Sequence, residues 1–80
     1  MLIDVIMEEV LEAVEAGYGF KTNEWGDVVW WIPASTYSRL SMAIQMGKTS
    51  KYDARADFSA PIVILDEKVK VLVFPLYKDA

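Results

Sequence analysis

Eighty residues, 54% of them apolar and together carrying a net charge of −4, make one domain over residues 1–80, with more hydrophobic side chain than one thin core hides. The chain has no cysteine and no histidine, which removes disulfides and thiolate sites together with the commonest metal ligand and general base. Charge is unevenly spread, with seven acids and one base in residues 1–27 against five acids and seven bases in residues 28–80; such a chain lacks the broad positive footprint of a nucleic-acid binder.

The N-terminal stretch reads as an amphipathic helix. At about 100° per residue, Leu2, Ile3, Ile6, Met7, Val10, Ala13 and Val14 share one face. Asp4, Glu8, Glu12 and Glu15 form a stripe on the other, and Gly17 supplies the stop. No lysine or arginine on the helix offsets this stripe, and like charges four apart repel by a few tenths of a kcal/mol, on the order of the usual helix pair. The stripe therefore reads either as a solvated face or as a lure for a basic partner surface, including one that holds nucleic acid. Asp4 stands where a signal peptide carries positive charge, and the longest uncharged run, Val28 to Ser38, is 11 residues. A soluble cytoplasmic protein, complete from its opening methionine, is the expectation.

Tyr18 to Thr22 alternates as a half-buried strand, Asn23 to Asp27 is a turn around Gly26, and Val28–Ile32 is the returning strand, ended by Pro33. Neighbouring strand residues point to opposite faces, so Trp30 and Trp31 cannot share one. Ser35 or Thr36 is positioned to cap a second helix reaching Met46, with Gly47 as its stop. Tyr37, Leu40, Ala43 and Ile44 make its inner face, while Arg39, Met42 and Met46 lie outside. Lys48 to Ala60 reads as a polar loop. Ile62–Leu65 and Val69–Phe74 make a second hairpin, and Pro75 suits an edge strand. The predicted fold is α+β in the order αββαββ: a four-stranded antiparallel sheet made of two hairpins, with both helices on one face.

Chemical motifs are weak. Gly47–Ser50, "GKTS", has methionine at position 42, where a phosphate loop needs glycine, and it follows a helix instead of opening one. Asp53 and Asp57 lack a third metal ligand. Lys48, Lys51 and Arg55 beside Tyr52 make a poor nucleic-acid footprint. Ser35, Ser38, Ser41, Ser50 and Ser59 have no histidine to activate them. No catalytic, metal or cofactor residue is assigned.

Two helices shelter only one side of a sheet whose strands are apolar on both. Trp31 and Phe74, with Trp25, Arg39, Met42 and Met46, are therefore the predicted partner-binding residues, and Asp4, Glu8, Glu12 and Glu15 the electrostatic ones. The expectation is a non-enzymatic protein-binding module, as a homodimer or within a complex, with no membrane and no direct nucleic-acid contact. In general character it is similar to the small acidic inhibitors and adaptors of phages and mobile elements, anti-CRISPR inhibitors among them, although no motif carries that likeness. The alternatives are a homo-oligomeric ligand-binding or weakly catalytic protein whose pocket forms between subunits, lined by Trp25, Tyr18 and Tyr52, or a structural subunit of a larger assembly.

Overall fold

Apolar residues spaced three and four apart build helices here, and those spaced two apart build strands. The computed structural model describes residues 1–17, 21–47, 50–57, 59–67 and 69–77. Its elements run α1 (Leu2–Ala16), β1 (Lys21–Thr22), β2 (Val28–Pro33), α2 (Ala34–Gln45), β3 (Asp53–Arg55), β4 (Ile62–Leu65) and β5 (Lys70–Leu76). The chain is α+β, with two helices and one mixed five-stranded sheet.

Helix α1 buries Ile3, Ile6, Met7 and Val10 and leaves Glu8, Glu9, Glu12 and Glu15 in solvent. Gly17 closes it in the left-handed region at φ 79° and donates its N–H to the carbonyls of Ala13 and Val14. An L side chain is strained at that angle, which is why glycine stands there. Val5, on the polar side of α1, is 53% exposed.

Strand β2 runs directly into α2. Pro33 is the N-cap and no side chain caps the helix, so the expected cap by Ser35 or Thr36 is overturned: both residues lie inside α2. Proline explains the abrupt start. Its φ of −54° already suits a helix entrance, and its missing N–H removes one group that a cap would otherwise serve.

The sheet order is β1-β2-β5-β4-β3. Strands β1 and β2 are antiparallel, as are β5 with β4 and β4 with β3, but the central β2 and β5 are parallel. This corrects the predicted four-stranded antiparallel αββαββ sheet in two respects. The last strand joins the first hairpin through a parallel pair, because α2 and the β3–β4 hairpin form the long crossover that parallel pairing requires. The segment read as a polar loop also contains β3, whose Ala54 turns inward onto the core while Asp53 and Arg55 stay exposed. The predicted strand at Tyr18–Thr22 survives as β1 at Lys21–Thr22; Tyr18 to Phe20 lie outside the described residues.

Pro75 does not mark an edge strand. It sits in β5, in the middle of the sheet, opposite Ile32. The register with β4 ends at Val73, so beyond that point β5 has β2 as its paired neighbour and behaves locally as an edge.

The buried cluster draws on one sheet face only: Val28, Ile32, Ile62, Ile64, Val71 and Val73. Helix α1 adds its four buried residues and α2 adds Leu40. Both helices therefore pack on the same side, giving two layers in a body 21 Å thick at its thinnest.

Candidate functional site

The strand registers fix what the other sheet face presents. Residues directly opposite on neighbouring strands point to the same side. One transverse row reads Lys21, Val29, Leu72, Val63 and Arg55, crossing all five strands. The next row toward the end of β5 holds Trp31 opposite Phe74, and the one beyond it Pro33 opposite Leu76. On the other side of the first row stand Lys70, Leu65 and Asp53.

No described element covers this face. Trp31 is 51% exposed, and Leu65 and Leu76 are also exposed, whereas Val71 and Val73, their neighbours in the strand on the helix side, are fully buried. Trp31 and Phe74 stack with ring centroids 4.9 Å apart and planes 26° from parallel, an offset geometry that adds about 0.5–1.5 kcal/mol beyond area burial. Trp30, on the opposite side of β2, packs against the core.

Lys21, Arg55 and Lys70 are exposed. The ion pair found among the described residues lies elsewhere, between the Met1 ammonium and Asp4 at 3.5 Å. None of the three cations on the sheet face forms an ion pair among the described residues.

The other predicted partner-binding residues lie apart from this face. Met42 and Met46, 64% and 69% exposed, and the exposed Arg39 project from α2 on the side away from Leu40, across the molecule from Trp31. Glu8, Glu12 and Glu15 are exposed on α1. Asp4 is engaged internally: besides the Met1 ammonium, it accepts a 2.9 Å hydrogen bond from the Ser50 hydroxyl, tying the start of α1 to the approach to β3.

Trp25 stands at the tip of an ordered turn. The Asn23 Oδ1 accepts the backbone N–H groups of Trp25 at 3.0 Å and Asp27 at 2.9 Å, and Gly26 takes φ 83°. The ring is 76% exposed. The turn precedes Val28, at the end of β2 opposite Pro33, so Trp25 does not join the Trp31–Phe74 stack.

Concave regions on the helix side include the following two. A cavity of about 270 Å³ between the start of α1, the end of α2 and β3 is lined chiefly by Leu2, Ile3, Leu40, Ile44, Tyr52 and Ala54. Tyr52 lines it and Trp25 does not; Tyr18 lies outside the described residues. A shallower depression holds Tyr37, Ser41, Gln45, Asp57 and Tyr77. Burial raises the Tyr37 pKa above 10.0, with the nearby Tyr77 and Asp57 charges adding to the rise and the Ile62 backbone opposing it. The Tyr37 hydroxyl is buried with no hydrogen-bond partner among the described residues. Asp57 is held below 3.8 by the Ser59 N–H and then the Ser59 hydroxyl, both donating to its Oδ1.

Among the described residues, no group of three or more histidine, cysteine, aspartate or glutamate side chains is arranged to hold a metal ion. No described helix is long and apolar enough to cross a membrane. Gly47 follows α2 at φ 73°, while Lys48 and Thr49 of the "GKTS" stretch lie outside the described residues. Comparison with protein-family models, with curated proteins and with solved structures finds no match to this chain.

Sequence reading missed Val63, Leu65, Lys21 and Arg55 as members of the open face. Val63 and Leu65 alternate with the buried Ile62 and Ile64, so the period of two was the available signal. For Arg55 no signal existed without β3.

Proposed function

We propose that the protein is a non-enzymatic binding module that docks another protein on the open face of its sheet. The observation that carries this reading is the half-exposed Trp31–Phe74 stack, flanked by Val29, Leu72 and Leu76 on a face that no described element covers. Tryptophan and its aromatic neighbours supply large contact area with few rotatable bonds, and they concentrate binding energy when water is excluded. Such a module acts as an inhibitor or adaptor, by occupying a surface. The exposed carboxylates of α1, on the opposite layer, keep the helix side hydrated and reinforce one-sided docking.

Parallel affinity capture with the wild type, Trp31→Ala and Met42→Ala tests it. A stoichiometric protein retained by the wild type and by Met42→Ala, but lost with Trp31→Ala at an unchanged fold, is the expected result. Retention by all three variants alike removes the sheet face as the binding surface.

A further inference from the structure

The charges on the open face say what kind of protein fits it. The middle row begins with Lys21 on β1 and ends with Arg55 on β3, with Val29, Leu72 and Val63 between them. Four strand spacings separate the ends, about 19 Å. Both cations are exposed and have no ion-pair partner among the described residues, and Lys70 adds a third in the adjacent row, which also holds Asp53 and, just before Val28, Asp27. Other acids near this end of the sheet, such as Glu24 and Glu67, stand in the β1–β2 and β4–β5 turns beyond the rows. An apolar strip with a cation at each end is complemented by an apolar strip with a carboxylate at each end.

The same pattern disfavours a second copy of this face. Two sheets packed face to face are related by a twofold axis in the plane between them. An axis along the strands places Lys21 over the partner copy's arginine end of the row. An axis across the strands, centred on the row, places each end over its own counterpart. Either arrangement sets cation against cation, which costs affinity when the strip is desolvated.

Resting on the docking face proposed above, we infer that its occupant is an acidic amphipathic segment of another protein, about a dozen residues long if helical, crossing the strands with carboxylates reaching Lys21 and Arg55. At 1.5 Å per residue, roughly 13 helical residues span the row. The overall charge of −4 sets this occupant apart from nucleic acid, which asks for a continuous cationic track.

Selection of a displayed random 16-residue peptide library on the immobilised chain tests the inference, with Trp31→Ala as the counter-target. The expected peptides combine aromatic or aliphatic residues with aspartate or glutamate on both sides and lose binding to Trp31→Ala. Synthetic copies are expected to bind Lys21→Glu/Arg55→Glu at least tenfold more weakly, but Arg39→Glu/Lys51→Glu, of equal net charge, within about threefold of wild type. Peptides that need Trp31 yet carry no acids overturn the acidic occupant and leave the docking face standing. Absence of any Trp31-dependent peptide overturns both. Binding of a fluorescent 15-nucleotide oligothymidine that is lost with Trp31→Ala replaces the peptide with nucleic acid. A dimer mass that becomes monomeric with Trp31→Ala replaces it with a second copy.

Discussion

Trp31 lies against Phe74 because β2 and β5 run parallel with those two residues in register, their rings 4.9 Å apart. The adjacent pair in the same two strands, Trp30 and Val73, points the other way, toward the helices. One strand pairing thus builds the core and the exposed stack together. The two sides differ in what they contribute to stability. Leu40→Ala, at a fully buried position, is expected to cost 2–5 kcal/mol, on the order of other core truncations. Trp31→Ala is expected to cost only about 1–2 kcal/mol, the stacking plus partial burial. Urea denaturation of the two variants measures both, and the reverse ranking would place Trp31 in the core.

Tyr37 gives a second prediction. Its hydroxyl is buried with no hydrogen-bond partner among the described residues, so Tyr37→Phe removes a polar group whose burial is not offset by a well-formed bond. The variant is expected to equal the wild type or exceed it by about 1 kcal/mol. Destabilisation by more than that amount would reveal a bond from the hydroxyl to the Ile62 backbone.

The same residue sets a pH limit. Burial raises its folded pKa above the model-peptide value of 10.0. The unfolded chain therefore ionises first, and the neutral tyrosine's contribution is complete below pH 10.0 and lost as pH rises through the folded value. Wild-type stability is expected to fall above pH 10.0 more steeply than that of Tyr37→Phe; identical alkaline profiles would contradict it.

Asp57 behaves oppositely. Its lowered pKa, set first by the Ser59 N–H and then by the Ser59 hydroxyl, favours the fold above the unfolded value of 3.8, and that contribution disappears as pH falls through the lower folded value. Ser59→Ala removes one of the two donors, so the Asp57 carboxyl titration followed by NMR is expected to move part of the way back toward 3.8. No movement would mean that the backbone N–H alone sets the shift.

Asn23 organises the turn that carries Trp25. Asn23→Ala leaves two backbone N–H groups without their acceptor and is expected to cost about 1–2 kcal/mol in chemical denaturation. Trp25→Ala, at an exposed tip, is expected to stay within about 0.5 kcal/mol of wild type. A larger loss from Trp25→Ala would show that the ring packs against the body.

Local patterns in the chain carried much of this architecture. The spacing of Ile3, Ile6, Met7 and Val10, followed by Gly17, specifies α1 and its end. Alternation in Val28–Ile32 and Val69–Phe74 assigns Trp31 and Phe74 to one face. Pairing was not legible. Sequential hairpins are the simplest arrangement, and nothing local to β2 says that its partner lies some forty residues on and runs parallel. Strand β3 was hidden because three residues, two of them charged, look like a loop until Ala54 meets Ile64. The candidate site shared both gaps. Its aromatic pair follows from alternation, but its flanking Arg55 depends on β3. Met42 and Met46 were recognised as exposed, yet only the layer arrangement shows that they face away from Trp31.

Hydroxyl-radical footprinting of the chain alone and in complex with its captured partner tests the docking face most directly. Trp31, Phe74 and Leu76 are expected to be oxidised in the free protein and protected in the complex, while Met42 and Met46 react equally in both. Protection of Met42 and Met46 with Trp31 unchanged would contradict the account and move the binding surface to α2.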